Sequence, residues 1–299
     1  MSTALCLSGG FFKGAFQAGV IDVMYREAGV PSHDYLVGTS VGALIAGHLA
    51  MYHRDQGPIA ARDLVSLFSN IRPEQVIKRW FPFGKLHALW KSSIYDSSPL
   101  RELIATRFDP ARVLNSGRHI SVGAVSWSTG ESCVWNEHDI DALPDAIYAS
   151  AAAPVAIELA SIDGELYTDW GVREITPLRT AISLGEGDPV SHIDIIATWS
   201  PGVSAAAARK PNVLTRSLRE IDILVDEVQR GDVATAEAWN TALHAGAPCD
   251  GKRVLDINLM RPKGSLEMDA QQPTPAQLHS AIEHGRRVAR EHYFGNPSK

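Results

Sequence analysis

Short apolar runs interrupted by glycine set the rhythm of the first half of the chain. Residues 3–7 (TALCL) read as a buried strand stopped by Ser8-Gly9-Gly10. From Gly14 the apolar set Phe16, Val20, Val23 and Met24 recurs at helical spacing until Gly29 and Pro31 end it. The unit then repeats, with Tyr35-Leu36-Val37 as strand, Gly38-Thr39 as turn and the alanine-rich stretch 41–51 as a buried helix. Leu64, Leu67, Phe68 and Ile71 predict a further amphipathic helix, whereas residues 79–95 crowd aromatics around a proline and a glycine without clean periodicity and predict an insertion or lid.

Residues 120–125 and 132–135 flank Ser128-Thr129-Gly130 and predict a strand pair, followed by a helix over 139–152. Residues 155–162 and 166–168 are strand-like around the turn signal Asp163-Gly164, and 193–198 form a later strand nearly devoid of polar residues. Helical patterns occupy about 212–243 and 274–294, with a strand near 253–259 between them. Strands that alternate with helices and read as near-continuous apolar runs predict an α/β fold with a mostly parallel sheet covered on both faces. Ligands of such sheets gather at the carboxyl ends of the strands, which directs attention to residues 8–14 and 38–42.

Composition narrows the function. With 299 residues, 45% apolar and 21% charged, the chain is neither disordered, collagen-like nor a coiled coil. It predicts one domain over residues 1–299, with a motif-bearing core over about 3–200 and a C-terminal helical part over about 205–299. Lys plus Arg number 28 against 34 Asp plus Glu, a net charge of −6, which disfavours nucleic acid as a partner. Three scattered cysteines match neither a disulfide framework nor a zinc site. Neither a signal peptide nor a membrane span is expected, so the reading is cytoplasmic, with peripheral contact to a lipid surface left open.

Gly38-Thr39-Ser40-Val41-Gly42 matches GxSxG and falls between a predicted strand and helix, where the motif lifts a nucleophilic serine above a sheet. The bland reading is a glycine-rich turn with a capping serine. A nucleophilic serine needs a base, and Ser40 comes too early for the order of an α/β-hydrolase. Of eleven histidines only His192 abuts a late strand, and it precedes that strand. Asp169, in the loop after 166–168, is the better candidate base, although an aspartate ending a strand is more often a turn-former. Residues 8–14 (SGGFFKG) precede a helix and offer amides to an anion, either a phosphate or a developing oxyanion.

Three motifs taken in order, LSGGFFKGAFQAGV, GTSVGALIAG, and TDWGVREITPL after SAAAPVAIEL, resemble those of the patatin-like phospholipase family over about residues 3–180. The resemblance implies a three-layer α/β/α fold and hydrolysis of lipid acyl esters by a Ser-Asp dyad, with no histidine, metal or cofactor. It implies Ser40 as nucleophile within an elbow framed by Gly38 and Gly42, Asp169 as base, and amides around Gly9, Gly10 and Phe11 as the oxyanion hole. Two residues depart from the family pattern. Phe11 replaces the third glycine of the turn, where positive φ would cost about 1–3 kcal/mol, and Trp170 replaces the glycine after the aspartate. Phe11 and Trp170 are expected to narrow the acyl pocket or to reposition Asp169, with plain packing as the alternative for Trp170. Lys13 keeps the basic position of the turn, and Trp80, Phe81, Phe83 and Trp90 are candidates for a lid, with a satellite core as the alternative. Two other readings stay open: a lipid-binding or regulatory protein whose chemistry has faded, and an esterase dependent on His192.

Overall fold

A computed structural model describes residues 2–80, 92–184, 190–200, 213–246 and 254–295. Five strands run parallel in the order β10 (Asp256–Met260), β9 (His192–Ile196), β1 (Thr3–Leu7), β2 (Tyr35–Gly38), β5 (His119–Ser126). Three antiparallel strands complete the sheet: β6 (Ser132–Asn136), β7 (Ala160–Ile162) and β8 (Glu165–Asp169). A two-stranded ribbon, β3 (Lys78–Arg79) with β4 (Tyr95–Asp96), stands apart.

Strand alternation divides the core into two layers. Leu5 and Leu7 of β1 face one side with helices α1 (Gly14–Asp22), α2 (Val41–Ala50), α3 (Gly57–Asn70), α4 (Ser98–Arg107), α5 (Pro110–Asn115), α6 (Leu143–Ser150) and α9 (Pro275–Phe294). Ala4 and Cys6 face the other side, where Leu178 of α7 (Leu178–Ser183) and Ala236 of α8 (Val213–His244) cover the sheet. The expected α/β/α layering and mostly parallel sheet are present.

The C-terminal part is woven into this core. β10 extends the sheet, and α9 crosses α1 so closely that a Cβ on Gly19 would stand 2.0 Å from Ile282 O and one on Gly285 2.1 Å from Phe16 O. Arg286 holds the same crossing through Asp22 at 2.7 Å.

The fold deviates locally from the sequence expectation. Residues 155–159 are not strand, and only Ala160–Ile162 pairs. α3 begins earlier than its periodicity suggests, because Ala60 and Ala61 fill the core without marking a strong apolar stripe. α4 and α5 carry start signals that periodicity alone overlooks. Each has proline in its first turn, and Asp109 caps α5 by accepting from the Ala111 and Arg112 amides at 3.0 and 3.3 Å.

One topological detail positions the site. β5 pairs with β2 over His119 to Val122 and, along the same edge, with β8 over Ala124 to Ser126, while β6 occupies the opposite edge. β2 and β8 run in opposite directions and end facing each other, Gly38 opposite Val122 and Asp169 opposite Ala124. Two residues of strand separate those ends, about 7 Å.

Candidate active site

Ser40 follows Gly38 by two residues and so enters this gap from the β2 side, while Asp169 enters it from β8. Ser40 holds φ 58° and ψ −123°, a conformation that side chains rarely adopt, immediately before α2. Backbone approach explains the flanking glycines. A Cβ on Gly38 would stand 2.2 Å from Gly42 O, and one on Gly42 2.2 Å from Leu7 O. The Ser40 amide donates to Ser150 Oγ at 3.1 Å, tying the turn to the end of α6. Thr39 Oγ1 donates to Glu174 O at 2.8 Å, fixing the other flank.

Asp169 is buried at the end of β8, with Oδ1 accepting from the Gly171 amide at 2.7 Å. Burial pushes its carboxyl up to about 7, and the Gly171 amide and, to a lesser degree, the Ser40 side chain act in the opposite direction. No cation contributes to that balance. The result is a carboxylate with the proton affinity of a histidine, beside a serine hydroxyl.

The glycine-rich turn lies against the same serine, since a Cβ on Gly9 would stand 3.1 Å from Ser40 Cβ. The Gly9 amide is engaged by Ile175 O at 3.0 Å, whereas those of Gly10 and Phe11 have no hydrogen-bond partner among the described residues. Phe11 adopts φ 53°, the positive value foreseen as a cost of replacing glycine. The turn is held from behind: Gln17 Nε2 donates to Ser8 O at 3.0 Å and Ile196 O at 2.8 Å, and Thr198 Oγ1 donates to Gly9 O.

Ser40 opens onto a cavity of about 580 Å³ lined mainly by apolar side chains, with Phe11 on its rim. Trp170 lies elsewhere. Its ring is fully buried over Gly123, in the layer opposite the cavity, with Nε1 donating to Ser132 Oγ at 3.2 Å. Of the readings open for Trp170, this placement matches packing, the ring filling the space left by Gly123. The Lys13 amide closes the turn onto Gly10 O at 3.1 Å, and its side chain does not line the cavity. Trp80 is half-buried with Nε1 donating to Ser93 O at 3.2 Å and does not line it either. Phe81, Phe83 and Trp90 lie outside the described residues.

His192 sits at the amino end of β9, in register with Thr3, and so at the far end of the sheet from Ser8 and Ser40. Among the described residues no three His, Cys, Asp or Glu side chains are grouped to hold a metal ion. No described helix is long and apolar enough to cross a membrane. Sequence reasoning missed Ser150, Gln17 and Thr198. Gln17 left the clearest signal, a single polar side chain within an otherwise apolar helical run.

The family model for patatin-like phospholipase matches residues 5–182, well over half of the chain. The chain belongs to the patatin-like phospholipase family. This patatin-like chain is 30% identical over 180 residues to a cGAMP-activated phospholipase of Pseudomonas aeruginosa (strain BWHPSA011 / Pa011). That match covers 56% of this chain and 52% of the relative, so the chain spans about half the length of the curated relative it matches. The crystal structure of VipD from Legionella pneumophila aligns over 98% of this chain and 67% of that one at 12% identity, with a TM-score of 0.46, a likeness too loose to carry an argument.

Proposed function

We propose that this patatin-like protein is a lipid acyl hydrolase of the phospholipase A, lysophospholipase or esterase type, working through a Ser40–Asp169 dyad. The observation that carries this reading is a buried aspartate with its carboxyl raised to about 7, facing a serine in a strained elbow that opens onto an apolar cavity. Above pH 7 Asp169 is ionised and accepts the Ser40 proton as Oγ attacks the ester carbonyl carbon. The carbonyl electron pair moves onto oxygen, where the amides of Gly10 and Phe11 stabilise it, Gly9 serving by the room its missing side chain leaves. Collapse expels the alcohol, which takes its proton from Asp169. Water then attacks the acyl-enzyme, giving a proton to Asp169 and releasing the fatty acid, and Ser40 recovers its proton.

The Phe11 backbone supports a second reading, a lipid-binding protein with faded chemistry, because strain of about 1–3 kcal/mol at an oxyanion donor is compatible with a distorted hole. Release of fatty acid from phosphatidylcholine and lysophosphatidylcholine separates the two. The assay uses wild type, Ser40→Ala and Asp169→Asn, with and without cGAMP, since activation by that dinucleotide is in the name of the Pseudomonas relative. Turnover by wild type that both variants lose is the expected result. Lipid binding without turnover in any condition would leave the faded-enzyme reading standing.

A further inference from the structure

Three residues around the glycine-rich turn stand at one level of the sheet. Ile196 of β9, Leu7 of β1 and Gly38 of β2 are in register, and Thr198, Gly9 and Ser40 each follow two residues later. β1 lies between the other two strands, so the Gly9–Gly10 peptide is flanked by Thr198 on one side and Ser40 on the other. Its oxygen is taken on the β9 side, where Thr198 Oγ1 donates to Gly9 O. In a trans peptide the N–H points opposite to the C=O, which aims the Gly10 amide towards the Ser40 side.

The neighbouring peptides are fixed by other means. The Ser8–Gly9 peptide is held at both ends, since Gln17 Nε2 donates to Ser8 O at 3.0 Å and the Gly9 amide donates to Ile175 O at 3.0 Å. The Phe11 amide belongs to a peptide whose oxygen, Gly10 O, accepts from the Lys13 amide at 3.1 Å. Between them the Gly9–Gly10 peptide has a glycine on each side, the residue type that resists rotation least, and its anchor is the oxygen on Thr198. Ser8 Oγ lies 3.3 Å from the same oxygen and accepts the Thr198 amide at 2.9 Å, which ties Thr198 itself to the end of β1. A Cβ on Gly10, at φ 148°, would stand 2.3 Å from Thr198 Oγ1, so no side chain fits between the hydroxyl and the turn. Thr198 is buried and does not line the cavity.

We propose that Thr198 is a positioning residue for ester hydrolysis, its hydroxyl holding the Gly9–Gly10 peptide in the orientation that presents the Gly10 amide to the oxyanion. The inference rests on the reading of Ser40 as nucleophile and Gly10 as oxyanion donor, and it adds a residue that lies beyond the three sequence motifs. Without the hydroxyl the peptide is free to turn its oxygen towards Ser40, where a carbonyl dipole opposes the developing negative charge. The ester in its ground state carries no such charge, so the loss falls on kcat and leaves KM in place.

The test compares wild type, Thr198→Val and Thr198→Ser on p-nitrophenyl butyrate and lysophosphatidylcholine. Thr198→Val, which keeps the shape and removes the donor, should lower kcat about 30-fold with KM within about twofold, because the Phe11 amide remains. Thr198→Ser, which restores the hydroxyl, should bring kcat back to within about threefold of wild type. Thr198→Ala removes the same donor and serves should the valine variant not fold. A trifluoromethyl ketone, which forms a tetrahedral oxyanion on the serine, reads the hole at equilibrium. Its Ki should rise in Thr198→Val by the factor that kcat/KM falls, and return in Thr198→Ser. An active wild type whose folded valine or alanine variant keeps its kcat, loses only KM, or is not rescued by serine overturns the proposal and leaves the dyad standing. A wild type with neither turnover nor a fluorophosphonate adduct on Ser40 overturns the dyad reading, and the positioning role with it.

Discussion

Asp169 and Asp194 are both buried aspartates of the central sheet, and their carboxyls are shifted in opposite directions. Asp169, at the carboxyl end of its strand, has burial against it and only the Gly171 amide and the Ser40 side chain to favour its charge, so its pKa rises to about 7. Asp194 lies at the middle of β9, in register with Leu5 of β1, and burial opposes its charge as well. Its oxygens, however, meet His33 Nε2 at 2.8 Å, His192 Nε2 at 3.1 Å and Asn258 Nδ2 at 3.2 Å, and the balance falls below the ordinary carboxylate value. Tyr25 extends that network to His33 at 2.9 Å and Asp256 extends it to His192 at 2.8 Å. Burial alone therefore does not decide what a carboxylate is for. The supply of donors sets its proton affinity as well, and withholding them leaves it raised.

The sharpest way to break the comparison is to neutralise each aspartate. Asp169→Asn should lower turnover by about 10³-fold or more, because the serine loses its proton acceptor. It should also stabilise the protein at high pH. The folded-state pKa is raised, so the native protein holds a proton that the unfolded chain releases above about pH 4, and wild-type stability falls as pH rises towards 7. At pH 8 the variant should exceed wild type by up to about 4 kcal/mol in denaturant unfolding, a margin that shrinks near pH 4.

Asp194→Asn should do the opposite, costing about 3 kcal/mol by removing the carboxylate that His33, His192 and Asn258 share, while folded molecules retain their turnover. The Asp194 contribution has a lowered folded pKa, so it is present above the unfolded value and is lost as pH falls through the folded one. Wild-type unfolding between pH 2 and pH 5 reads this directly.

A smaller effect is expected at Ser150, which holds the Ser40 amide and does not line the cavity. Ser150→Ala should reduce kcat about tenfold with KM little changed, since the elbow loses an anchor and the pocket does not. The smallest is at His192. His192→Ala should leave turnover within about twofold, because the ring belongs to the far end of the sheet, and loss of turnover would revive a histidine-dependent mechanism.

Much of this was legible in the sequence because the site is built from local backbone requirements. GxSxG with a strand before it and a helix after it announces an elbow, and the close approach of Gly42 to Leu7 O shows why no other residue fits there. Strand and helix placement followed from apolar runs between glycines. What stayed hidden depended on tertiary register. Nothing local says that β2 and β8 meet head to head along one edge of β5, or that Ser150 Oγ reaches the Ser40 amide across 110 residues. Trp170 stayed open between pocket and packing for the same reason, since its partner Gly123 lies on a different strand and the spacing of residues around Asp169 cannot reveal which face the ring takes.

The central claim is that Asp169 activates Ser40 because burial without a cation raises its proton affinity. The most direct test is the rate at which a fluorophosphonate labels Ser40 in wild type and Asp169→Asn between pH 5 and pH 9, read by intact mass. The account predicts a wild-type rate that climbs through an apparent pKa of about 7 and a variant that is hardly labelled at any pH. Labelling of wild type that is indifferent to pH across that range, or that persists in Asp169→Asn, would contradict it.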